Sequence, residues 1–138
     1  MLLIGYLWKS LKAVVEMLES DLVAHLKADD EIKTIFQNPD RDFRIYPKVA
    51  PQNVKSPYIV YHEIVGVNNQ CLGGGIYQQV GRFQINIISS KYYETKEIRE
   101  LVKSCLLDFK SSADISTRDD YDEGSKLFME IIDFRIKD

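Results

Sequence analysis

The sequence predicts an α+β domain: a mainly antiparallel sheet of about four strands with two main helices packed on one face, ordered α-α-β-β-β-α-β. Three observations predict it. Pro57 to Ser89 reads as two long strands joined by a Gly-rich turn. Two other stretches space their apolar residues at a helical period. The chain closes on a segment of alternating polarity, Leu127 to Ile136.

Taken in order, the first helical stripe is Leu11, Val14, Val15, Leu18, Leu22 and Leu26, with Ser10 as its N-cap. His25 lies beside this stripe and reads as a boundary residue rather than a ligand. Asp29 and Asp30 interrupt the pattern. A short helix from Glu31 to Phe36 follows, capped by Asp30, with Ile32, Ile35 and Phe36 turned inward. Asn38 to Asp42 is a turn, from its Asn-Pro pair and polarity. Phe43 to Tyr46 is a short strand ended by Pro47. Lys48 to Ser56 is a loop, because Pro47, Pro51 and Pro57 favour extended chain.

In the second long strand Phe83, Ile85 and Ile87 alternate with Arg82, Gln84 and Asn86, so one face is buried and the other wet. In the first, Tyr58, Val60 and Ile64 share one face and Ile59, Tyr61 and Val65 the other. Apolar residues on both faces place that strand inside the sheet or under another chain. The connecting stretch Gly66 to Gly75, which ends in Gly73-Gly74-Gly75, forms a hairpin tip. A phosphate loop would lead into a helix, and here a strand follows.

Ser89 and Ser90 cap the next helix, whose stripe is Tyr93, Ile98, Leu101, Val102, Cys105, Leu106 and Phe109. Glu94, Glu97 and Glu100 precede Lys103 and Lys110, the order the helix dipole favours. Ser111 to Ser125 is polar and reads as a solvated loop. In the last strand Phe128, Ile132, Phe134 and Ile136 share one face, and Met129, Ile131, Asp133 and Arg135 the other. Asp133 and Arg135 could pair with each other on the surface or between subunits.

At 138 residues the chain fits one domain at 17–138 preceded by an apolar extension or arm at 1–16. Left exposed, Leu2, Leu3, Ile4, Tyr6, Leu7 and Trp8 would form an apolar patch, which suits an arm docked on a neighbouring subunit. The segment lacks the basic start and cleavage site of a signal peptide and is too short to cross a bilayer. Hydrophobic residues at 45% and charged residues at 28% are globular proportions. A net charge of −3 argues against a free-standing DNA-binding domain. Cys71 and Cys105 read as reduced thiols, and Cys105 as core.

No catalytic constellation emerges, and no cofactor or metal is expected. His62 and Glu63 are strand neighbours and face opposite ways. His62 and Cys71 lack a third orienting group. No zinc spacing is present. A calcium loop starting at Asp119 would place Gly124 and Glu130 correctly but puts Tyr121 at a ligand position. The chain has eight tyrosines, and Tyr46, Tyr58, Tyr61, Tyr77, Tyr92 and Tyr93 surround the hairpin, which suits a protein interface or base stacking.

The segment Arg44-Ile45-Tyr46-Pro47-Lys48-Val49-Ala50-Pro51-Gln52, followed by Ser56-Pro57-Tyr58-Ile59-Val60-Tyr61, resembles a family of phage and prophage tail completion proteins. These are the tail terminators, or tail-to-head joining proteins, of long-tailed phages. The likeness continues through Leu72-Gly73-Gly74, Arg82-Phe83-Gln84-Ile85, the Tyr93 to Leu107 helix and Asp133-Phe134-Arg135-Ile136. Leu22 to Asp29 looks like the family's first helix. The Met1 to Glu16 extension and the polar Asn38 to Asp42 turn depart from the pattern.

The resemblance implies a non-enzymatic virion-assembly protein. It would form a ring, usually a hexamer, that caps the tail tube, ends tube polymerisation and joins tail to head. Its implied partners are itself, the major tail tube protein and the head connector or neck protein. DNA would pass through the lumen without specific binding, and no membrane is involved. The implied location is the tail–head junction of the virion, after assembly in the bacterial host cytoplasm. Tyr58, Tyr61, Leu72, Gly73, Gly74, Gly75, Tyr77, Asp133 and Arg135 are the expected subunit-interface residues. Alternatives are a head-side neck or connector protein, a small single-stranded nucleic-acid-binding module, and an enzyme centred on His62.

Overall fold

A computed structural model describes residues 18–70, 76–109 and 111–137 of the chain. The expected arm at 1–16, Cys71 and the hairpin-tip residues Leu72, Gly73, Gly74 and Gly75 lie outside the described residues. Helix α1 spans residues 18–28. Leu18, Leu22 and Leu26, one turn apart, are its buried face. Asp29 then caps α2, Asp30–Phe36, its carboxylate accepting from the Glu31 and Ile32 amides at 3.0 and 3.1 Å. The cap is thus one residue before the expected Asp30, and it leaves Ile32 and Phe36 fully buried.

Strand β1, Ile45–Pro47, runs parallel to β2, Tyr58–Gln70. Strand β3, Ile76–Ser89, returns antiparallel to β2, and helix α3, Tyr92–Leu107, follows. Ser89 does not cap α3 directly. Lys91 is the N-cap, while the Ser89 hydroxyl accepts from the Lys91 amide at 3.1 Å and donates to Glu94. Thr95 is buried in the first turn of α3, whereas Tyr93, expected in the stripe, is 77% exposed. The helix ends at Leu107, before Lys110.

The expected solvated loop after α3 is instead a strand, β4, Ser111–Asp122, paired antiparallel with β5, Leu127–Lys137. The sheet therefore has five strands in the order β1-β2-β3-β5-β4, all antiparallel except β1 with β2. Strand β4 escapes the sequence pattern because it is an edge. Only Ile115 among its described side chains packs against the core, and polar residues cover both its faces.

All three helices lie on one side of the sheet. Their leucines and isoleucines form one cluster with Ile59, Tyr61, Phe83, Ile85, Ile132 and Phe134. Phe83 and Phe134, opposite each other on β3 and β5, stack at 5.9 Å. Gly81 leaves room for this pair: a Cβ there would stand 2.7 Å from the Phe83 ring.

Candidate assembly surface

Register fixes what the second face of the sheet displays. Its rows run across β2, β3, β5 and β4 as Tyr58, Ile88, Met129 and Asp120; then Val60, Asn86, Ile131 and Arg118; then His62, Gln84, Asp133 and Ser116. No described helix covers these rows. Val60, Ile88 and Ile131 are nonetheless buried and lie outside the main core. Between Val60 and Ile131 the side-chain oxygen of Asn86 is buried and takes no hydrogen bond from the described residues.

The polar row is internally tied. Gln84 Nε2 donates to Asp133 Oδ1 at 3.1 Å, and Arg118 lies 3.7 Å from the other Asp133 oxygen. Asp133 and Arg135 do not pair with each other. Arg135 reaches Asp114 on β4 at 3.7 Å, so both residues staple β5 to the sheet edge. His62 and Glu63 point to opposite faces, as strand geometry requires. Glu63 faces the helices, where burial, and then the Glu19 charge, push its carboxyl up. A register shift between Glu63 and Val65 bulges the strand, so Ile64 leaves the alternation and Val65 falls opposite Arg82.

The expected interface residues therefore separate. Tyr58, Asp133 and Arg135 lie on the face that no described helix covers. Burial pushes the Tyr58 hydroxyl up. Tyr61 is on the helix side, 8% exposed, within the core. Tyr77 lies on β3 opposite no residue of β5, in the part of the β2–β3 ribbon that outruns the rest of the sheet. Tyr92 and Tyr93 lie apart from the strand tyrosines, on α3, where their rings meet edge to face.

Two structural centres were not expected. Arg44, just before β1, sends Nε to the Pro57 carbonyl at 2.9 Å and its two terminal nitrogens to Asn38 Oδ1 and the Ile35 carbonyl, both at 2.6 Å. One guanidinium thus joins the end of α2, the 38–42 turn and the start of β2. The second centre is Glu130, a carboxylate 1% exposed beneath α3, held by Lys96 at 2.8 Å and Arg99 at 3.1 Å. Lys96 also bonds Asp119 of β4 at 3.0 Å. These bonds raise the Lys96 ammonium above its ordinary range and lower the Asp119 carboxyl.

The signal for the second centre was available. Glu130 falls between Phe128 and Ile132 on the apolar face of β5, so it needs a cation there, and Lys96 and Arg99 stand one turn apart on α3. The same arrangement takes the Asp119–Glu130 spacing out of a calcium loop, because both ends are bound to α3. Among the described residues no group of His, Cys, Asp and Glu has metal-binding geometry.

His25 and Cys105 are structural partners. The His25 Nε2 hydrogen-bonds the Cys105 carbonyl at 2.8 Å and the thiol faces the His25 carbonyl at 3.8 Å, joining α1 to α3. Burial pushes the Cys105 thiol up to about 11, the opposite of what a nucleophile needs.

Taken together, the helices on one side, the face that no described helix covers on the other and the β1 and β4 edges define a small α+β subunit built on a single sheet. The family model for tail completion protein gp17 matches residues 20–137, and the chain belongs to that family. It is a structural protein of phage-type tails. A chain from the solved virion of a native gene transfer agent (GTA) particle shares the fold, with a TM-score of 0.60 at 16% identity, over 84% of this chain and 90% of that chain. No curated protein matches the sequence significantly. No helix among the described residues is long and apolar enough to cross a membrane.

Proposed function

We propose that the protein assembles into a ring that caps the phage tail tube, ends tube polymerisation and presents a surface for joining the head. The observation that carries this reading is the family match over residues 20–137. The geometry supports it. A ring subunit needs two unlike surfaces that meet head to tail and close by rotation. This sheet has two unlike edges, β1 and β4, together with a face that no described helix covers and a ribbon that extends past β5. Its partners would be further copies of itself, the tail tube protein and a head-side connector, with DNA passing through without a specific grip. The likeness to a virion chain fits a place at the tail–head junction.

The nucleic-acid reading loses support from the placement of the tyrosines. Stacking successive bases requires several aromatic rings on one accessible platform. Here Tyr61 faces the core while Tyr58 faces away from it.

Light scattering over a concentration series, with negative-stain imaging in the presence of tail tubes, tests the ring. The expected result is a closed ring seated on tube ends, and tubes that stop lengthening. A protein that stays monomeric at all concentrations and leaves tube growth unchanged would overturn the reading.

A further inference from the structure

We infer that neighbouring copies meet through two oppositely charged edges of the sheet, the β1 side of one against the β4 side of the next. This rests on the ring reading above and names the surfaces it uses. Residues 43–62, which hold β1, its loop and the start of β2, contain Arg44, Lys48 and Lys55 and no carboxylate. Lys48 and Lys55 are exposed and have no acidic partner among the described residues. Arg44 directs its donors to carbonyl and amide oxygens, so its charge is not neutralised. The adjoining turn, with Asp40, Arg41 and Asp42, subtracts only one charge from this side.

The opposite edge has the other sign. Residues 111–126 contain five carboxylates against two cations, Arg118 and Lys126. Asp114 and Asp119 are paired with Arg135 and Lys96. Asp120, Asp122 and Glu123 remain exposed and without a cation among the described residues.

Height along the strands also matches. Asp120 stands in the row of Met129, Ile88 and Tyr58, and Arg44 immediately precedes Ile45, the partner of Ile59. Two copies set side by side would therefore bring Arg44 and Asp120 to one level, with Lys48 farther along the same edge, beside Tyr61. Two β1 sides, or two β4 sides, would bring like charges together. That asymmetry favours heterologous contacts over a two-fold dimer, which is the condition for ring closure. Pro47 lacks an N–H, so the match rests on side-chain charge rather than on a long backbone ladder.

The test uses the full-length protein in three variants. Asp120→Lys/Glu123→Lys reverses the acidic edge, Lys48→Glu/Lys55→Glu reverses the basic edge, and the fourfold variant exchanges the two. Asp122 is left in place because it binds Ser125 in the hairpin turn. Thermal melting checks that each folds. Self-association is measured by sedimentation with tail tubes present, at about 0.1 M and about 1 M salt, where charges are screened beyond roughly 10 Å and 3 Å. Each double variant should weaken assembly at least about tenfold at the lower salt, and the fourfold exchange should return it to within about threefold of wild type. At the higher salt the variants should converge with wild type. If wild type forms rings and the double variants assemble equally well, or the exchange fails to restore assembly, the edge pairing is wrong and the ring reading stands. If wild type neither associates nor caps tubes, both fall.

Discussion

Arg44 shows how much one side chain organises here. Its three donors close the junction between α2, the 38–42 turn and the start of β2, where three irregular backbone segments would otherwise leave carbonyls without partners. Hydrogen bonds to a charged group contribute about 1.5–3 kcal/mol each and do not add fully. Arg44→Ala should therefore destabilise the fold by about 2–4 kcal/mol in chemical denaturation. Arg44→Lys should recover little of it, because an ammonium cannot reach three oxygens held in a planar fork. A loss below about 0.5 kcal/mol for Arg44→Ala would show that the junction holds without it. Arg44 opens the motif on which the family resemblance was read, yet its task was not legible there. The oxygens it binds come from residues 6, 9 and 13 positions away, and nothing in the local pattern marks them as acceptors.

At the scale of elements, legibility followed hydrophobic contrast. Strand β2 runs on to Gln70 through residues expected in the hairpin tip, whereas helices α2 and α3 and strands β3 and β5 each have apolar residues at the right period and were read close to their places. Strand β4 was not, because its stability comes from pairing with β5 and from ion pairs rather than from an apolar face. The bulge at Ile64 was hidden for a similar reason: an irregularity of pairing leaves no mark on the composition of one strand. The Glu130 centre joins these elements, since it ties β5 and, through Lys96 and Asp119, β4 to α3. Its two sides should respond unequally to substitution. Glu130→Met leaves Lys96 and Arg99, whose side chains are 23% and 25% exposed and can turn to water, so the loss should stay near about 1–2 kcal/mol. Lys96→Met/Arg99→Met leaves a carboxylate that is 1% exposed with no cation, and should lose about 3–5 kcal/mol at pH 7. Urea titrations of both variants at that pH check the order. Equal losses would mean that Glu130 finds water or another donor when its cations are removed.

At the scale of the whole molecule, the β2–β3 ribbon extends past the end of β5. Strand β5 ends opposite Val80, at Lys137, and beyond that level the pairs Asn68 with Gln79, Asn69 with Gln78 and Gln70 with Ile76 involve β2 and β3 alone. Among the described residues no third strand and no helix lies against this ribbon, and two strands alone are marginal in water. It therefore adds little to the stability of the body, and a contact with another chain is what would give its ordering a return. The sequence showed a Gly-rich hairpin here, because turn chemistry is local, but residues 66–70 read as its tip and are strand. Where it sits relative to β5 depends on register between distant segments and was not legible. Replacing residues 68–79 by Asn-Gly would close β2 onto β3 directly after the Val67–Val80 pair with a two-residue turn. The shortened protein should melt within about 3 °C of the full-length chain, since the core cluster is untouched. It should also lose the ability to seat on tail tubes, read by negative stain and by the failure to arrest tube growth. A shortened protein that melts normally and still caps tubes would remove the ribbon from the assembly surface and leave the charged edges to close the ring without it.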